Sequence, residues 1–155
     1  MEKTLILLKP DALQRNFLGE VISRFERKGL KIVGLKMMRL SEKTLEKHYS
    51  QHKGKEFFKD LVKFMKDSPV VAIVLEGRGA IKAVRNLCGP TVGREAEAGT
   101  IRGDFSMSHQ HNIVHASDSL KTAKKEINRF FNDSELFDYE KYDMASIYAD
   151  DELKD

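Results

Sequence analysis

His115 is the residue in this chain best placed to do covalent chemistry. It stands in Asn112-Ile113-Val114-His115-Ala116-Ser117-Asp118, after a short β-branched run and before two residues of helix-capping type. Asn112, Ile113 and Val114 are expected as a short buried strand, with Ser117 and Asp118 as the N-cap region of a helix. The histidine would then sit at a strand end facing a helix start, a place suited to an anion. An imidazole there can act as nucleophile or proton carrier near neutral pH, and Glu126 on the following helix can orient it. Lys9 is a second candidate. It ends an apolar run and precedes Pro10 and Asp11, which fits either a solvated strand end or a phosphate ligand. A histidine between apolar residues is more often a core or capping residue, so other residues must decide.

The elements that would hold these groups follow from patterning. Thr4 to Leu8 is continuously apolar, as in a central strand buried on both faces. Pro10 and Asp11 suit a first helical turn, and Leu13, Phe17, Val21, Ile22 and Phe25 make one helix face that Gly29 stops. Leu30 to Leu40 is expected as the second strand. Ser41 caps a short helix through Tyr49, and a helix from about Lys55 to Lys66 carries Phe57, Phe58, Leu61, Val62 and Met65. Val70 to Leu75 is the third strand, and Gly79 to Leu87 the next helix. Cys88 to His111 has little periodicity; a loop of roughly 20 residues inside a compact domain is often functional. The last helix carries Leu120, Ala123, Ile127, Phe130 and Phe131 on one face. The order reduces to β-α-β-β-α-β. This predicts an α+β fold: a ferredoxin-like antiparallel sheet, helices on one face and a long insertion loop before the last strand. Residues 1–155 form a single domain in this reading, without repeat, linker or low-complexity segment.

The chain has 155 residues, enough for a core without disulfides or metal. Its one cysteine, Cys88, excludes an internal disulfide and a multi-cysteine zinc site. With neither a signal pattern nor an apolar span, a cytoplasmic protein with no membrane partner is expected. The net charge of +3 hides an asymmetry. From about Asn132 onward nine acidic residues face only Lys141 and Lys154, leaving a body near +10 that suits an anionic partner. Phe137, Tyr139, Tyr142, Ile147 and Tyr148 make this acidic extension too apolar to be merely solvated. It is expected to pack, partly on a neighbouring subunit. There is no Walker A loop, no complete dinucleotide fingerprint and no tight set of metal ligands.

Several motifs together resemble the nucleoside diphosphate kinase family across about residues 3–131. They are Lys9-Pro10-Asp11, the spacing from His48-Tyr49 to Phe57-Phe58, the heptapeptide Gly99–Phe105, and the stretch around His115. The resemblance implies transfer of the γ-phosphoryl group of a nucleoside triphosphate to a nucleoside diphosphate, maintaining nucleotide pools by a ping-pong route. On it, His115 is the phosphorylated residue, with Glu126 and Ser117 as orienting partners. Lys9, Arg85 and Arg102 supply cations, Thr91 and Asn112 hydrogen bonds to phosphate or ribose, Phe57 a stacking platform for the base and Tyr49 its support. Mg²⁺ would bridge the nucleotide phosphates, with Asp118 able to help hold it. A homo-oligomer is implied too, hexamer favoured over tetramer.

Departures and competing readings complete the expectation. Gly93 and Ala98 stand near places where the family often has prolines, and His109 where a small apolar residue is common. A nucleic-acid-binding module on the same topology is the main alternative, but it calls for aromatics on exposed strand faces. The first and third strands are aliphatic, so nucleic acid is not an expected partner. An inactive family member is a further alternative, set against the intact His115 and its cations.

Overall fold

The computed structural model describes residues 1–153. Its sheet is built around β1 (Glu2–Leu8), whose apolar run is buried from Thr4 to Leu8. β1 lies antiparallel to β3 (Val70–Gly77) on one side and to β4 (Val114–Ala116) on the other. β2 (Lys31–Met38) pairs with the outer side of β3, giving the order β2-β3-β1-β4 expected of a ferredoxin-like sheet.

The helices correct one expectation: they cover both faces of the sheet. Alternate side chains of a strand point to opposite faces. Ile6, Leu8, Ile73 and Leu75 pack on one side with Val21, Phe25 and Val84, which belong to α2 (Leu18–Arg27) and α5 (Ala80–Cys88). Leu5, Leu7, Ala72 and Val74 pack on the other with Leu45, Leu61, Met65, Ile127 and Phe130. Those residues come from α3 (Glu42–His48), α4 (Phe58–Asp67) and α7 (Leu120–Phe130). A strand apolar at every position needs cover on both sides, so one helical layer could not have sufficed.

Two further boundaries differ from expectation. The first helix is broken into α1 (Pro10–Gln14) and α2, with Asn16 left-handed at φ 61 between them. Asparagine tolerates that conformation better than most residues. The long loop is not featureless: it contains a 3₁₀ turn at Gly93–Glu95 and α6 (Ile101–Phe105), capped by the Thr100 hydroxyl, which accepts from Gly103 N. Gly93 explains its own departure from proline. A Cβ there would lie 2.3 Å from the Ser106 carbonyl oxygen, and Gly93 N donates to Ser108 O. The loop is tied instead by Asp104, which accepts from Gly99 N and pairs with Arg24 at 2.6 Å.

The acidic extension packs on its own chain. Phe137 N donates to Val33 O, Lys36 pairs with Glu135, and Lys31 pairs with Asp138, so the tail runs beside the edge strand β2. A short helix, α8 (Met144–Ile147), brings Ile147 against Gly29. Phe137, Tyr139 and Tyr142 remain exposed.

Candidate active site

The site begins with a strained turn. Asn112 and Ile113 were expected as strand, but Ile113 is left-handed at φ 70, a costly conformation for a β-branched residue. Val114 N donates to Asn112 O, closing a γ-turn around Ile113. Its backbone is fixed on both sides: Ile113 N donates to Asp11 Oδ2, and Ile113 O accepts from Lys9 N. The turn starts β4 one residue before His115, which pairs with Leu7 in the middle of that strand rather than at its end. The helix cap is also displaced, to Ser119, whose hydroxyl accepts from Thr122 N.

His115 is held by the first turns of α7. Its Nε2 lies 2.9 Å from Glu126 Oε1, while Ser117 Oγ donates to Glu126 Oε2 at 2.5 Å. Glu126 and Ser117 are both buried. A carboxylate only accepts, so Nε2 carries the proton and Nδ1 keeps its lone pair. That nitrogen has no protein partner among the described residues, and His115 lines a cavity of about 620 Å³.

Cations converge on the same cavity. Lys9 is buried, donating to Asn112 Oδ1 at 2.5 Å and to Gln110 O. Burial first, then the Arg102 guanidinium, push its pKa down to about 8, with Asp11 acting in the opposite direction. If Lys9 is a phosphate ligand, only its charged form serves, and kcat/KM for nucleotide should fall by about tenfold per pH unit above pH 8. Initial rates at low nucleotide between pH 7 and 10 measure this; a flat profile would remove Lys9 as the titrating ligand.

Arg102 donates to the carbonyls of Gly89, Asn112 and Val114, so it braces the loop against β4 while still lining the cavity. A guanidinium has five donors, so two remain. Arg85 is exposed at the rim, and its guanidinium makes no hydrogen bond or ion pair among the described residues. Asn112 departs from its expected part: its amide donates to Thr91 O and His109 O, and its oxygen holds Lys9. In this geometry it positions the lysine and the loop. Thr91 is exposed beside it.

At the outer end Phe57 is 41% exposed, off the apolar face on which it was expected, and borders the cavity with His52, Leu61 and His109. Phe57 lies 5.3 Å from His52, ring to ring. Tyr49 is buried behind them, with a hydroxyl that finds no partner among the described residues. Burial, reinforced by Glu126, raises its pKa, so it stays a neutral phenol. Asp118 is exposed at the mouth, its carboxyl held below the usual range mainly by the Thr122 hydroxyl. Among the described residues it is, apart from the already engaged Glu126, the only carboxylate on the cavity wall. The sequence reading missed Arg129, which donates to His48 Nδ1 behind His115, and the support that Asp11 gives Ile113. Arg129 follows Glu126 by three residues on one helix, the only hint available beforehand.

The family model for nucleoside diphosphate kinase matches residues 2–136. The chain belongs to the nucleoside diphosphate kinase family. It is 54% identical to the enzyme of that name from Staphylothermus marinus over 138 residues, covering 89% of this chain and 98% of that protein. With the one from Parabacteroides distasonis it shares 52% identity, covering 99% and 100%. A Halobacterium salinarum nucleoside diphosphate kinase solved in complex with CDP superposes with a TM-score of 0.93 at 42% identity, covering 95% of this chain and 98% of that one. A Babesia bovis family structure gives 0.92 at 44%, covering 96% and 100%. Family members transfer phosphoryl groups between nucleotides and require a divalent cation.

Proposed function

We propose that this chain moves the γ-phosphoryl group of a nucleoside triphosphate to a nucleoside diphosphate through a phosphohistidine on His115 Nδ1. The observation that carries the route is the single free nitrogen of His115, facing a cation-lined cavity while Glu126 holds the other. Phosphoryl transfer asks mainly for positioning and for positive charge around the equatorial oxygens. Nδ1 attacks the γ-phosphorus, the N–P bond forms, and the bond to the bridging oxygen breaks, releasing the diphosphate. The imidazole, still donating through Nε2, becomes cationic beside the Glu126 carboxylate. A β-phosphate oxygen of a second diphosphate then attacks phosphorus, and the N–P bond breaks to restore neutral His115.

Lys9, Arg85 and the free donors of Arg102 would contact the phosphates. Phe57 offers a stacking face, with Tyr49 behind it, and Thr91 a hydroxyl to phosphate or sugar. Mg²⁺, as a hard ion that keeps most of its ligands from phosphates and water, needs few protein oxygens. Asp118, the exposed carboxylate of the wall among the described residues, fits that demand. When bound, the ion would neutralise charge on the phosphates.

The edge strand β2 leaves Leu35 and Met37 exposed, which supports a homo-oligomer; the family resemblance favours a hexamer, with a tetramer as the alternative. A cytoplasmic location accords with the buried free thiol of Cys88, whose pKa burial raises to about 11. No helix among the described residues is long and apolar enough to cross a membrane.

The test is incubation with γ-labelled ATP and Mg²⁺, then a chase with a different nucleoside diphosphate. The expected result is acid-labile label on the protein that passes to the second nucleotide. Binding of ATP without labelling would overturn the covalent route.

A further inference from the structure

We propose that Arg129 is a positioning residue: it reserves Glu126 for the nucleophile by keeping Nδ1 of His48 unprotonated. The inference rests on His115 being the phosphorylated residue. Glu126 Oε1 has two imidazoles within reach, His115 Nε2 at 2.9 Å and His48 Nδ1 at 3.5 Å. Arg129 Nη1 donates to that same His48 nitrogen at 3.0 Å. A guanidinium is donor-only and stays charged, so His48 Nδ1 must accept, and neutral His48 carries its proton on Nε2. Among the described residues Nε2 is buried without a partner, as is Arg129 Nε. Arg129 forms no ion pair among the described residues, so a surface contact does not account for its placement.

The surroundings show why the proton on His48 matters. His48 meets His115 edge-on, with ring centroids 4.6 Å apart, and also packs on Tyr49 and Phe130. The charged or titratable groups facing it are His115 from β4, Glu126 and Arg129 from α7, Lys9 beyond β1, and His52 and Tyr49 after α3. Glu126 is the one acid among them. A proton on His48 Nδ1 would draw that carboxylate away from His115. It would also set a cation beside the imidazolium that forms on phosphorylation. Burial, then His115, then Arg129 hold His48 well below its ordinary pKa, the direction the arrangement requires.

The experiment is ¹⁵N NMR of the His48 ring, with pH profiles of kcat/KM, in wild type, Arg129→Met, Arg129→Lys and the same Arg129→Met change in a His48→Gln background. Wild-type His48 is expected to remain the neutral Nε2–H tautomer at pH 6. In Arg129→Met the proton should move to Nδ1, and the acid limb of kcat/KM should shift upward by about one pH unit, about tenfold at the acid end. Arg129→Lys should restore part of the shift, and the substitution should shift nothing further without His48. A proton on wild-type Nδ1, which needs no variant to detect, overturns the proposal. So does an Arg129→Met profile that superposes on the wild type. If γ-labelled ATP leaves His115 unlabelled, the covalent route fails separately, since the tautomer is read without turnover.

Discussion

Replacing His115 with glutamine should lower phosphoryl transfer by at least about four orders of magnitude, with no label retained on the protein. Glutamine places its amide nitrogen close to the position of the ring Nε2, where it can still donate to Glu126 Oε1, so the buried carboxylate is not left wholly unpartnered. What it lacks is the second ring nitrogen. Lys9 and the loop carrying Arg102 are anchored by contacts that do not involve His115, and Arg85 is carried by α5, so nucleotide should still bind. The measurement is therefore paired: nucleotide binding by calorimetry, and transfer by labelled phosphate. Binding retained with transfer lost assigns His115 to the chemistry. Transfer retained above about one per cent of wild type would mean that the phosphoryl group reaches the second nucleotide directly.

The parts of this site that could be read from sequence are those with short-range signals. The apolar run of β1 announced a central strand, and Lys9 at its end was correctly placed because a strand's end is a local event. Even there, the same run implied two helical layers, and the expectation of one came from counting elements without asking what covered the second face. Ser41 behaved as the cap it resembles, accepting from Thr44 N. Leu120 did not join the apolar face of α7 and is 51% exposed, because the helix starts there and its buried stripe begins at Ala123.

Ile113 was the hardest residue to read. Its β-branched side chain argues for strand, and only Asp11 and Lys9, about 100 residues away, hold it in the left-handed turn that aims His115. Asn112 was assigned to ligand contact because its amide can donate. The structure shows those donors facing the carbonyl of His109, three residues back, and that of Thr91, 21 residues away, which no local pattern encodes. Arg129 belongs to the same class: on sequence it is a helix-end cation suited to the dipole, and only the fold brings His48 against it.

Glu126→Gln should lower kcat/KM by about 100- to 1000-fold, and the loss should fall on formation of the phosphohistidine rather than on nucleotide binding. The glutamine oxygen can still accept from His115 Nε2, and its amide can face Ser117, whose hydroxyl can turn toward Leu5 O. Tautomer and ring orientation therefore survive the change, and the negative charge does not. Neutral imidazole hardly requires that charge; the cationic ring formed when Nδ1 bonds to phosphorus does, in a pocket already holding Lys9 and Arg102. Rapid-quench measurement of the first labelling event separates the possibilities. A slowed labelling phase with KM within about twofold of wild type is the charge effect. A raised KM with labelling at the wild-type rate would mean that Glu126 only shapes the cavity. Ser117→Ala gives the internal scale: it removes one hydrogen bond to the carboxylate but leaves the charge, so its loss should be nearer tenfold.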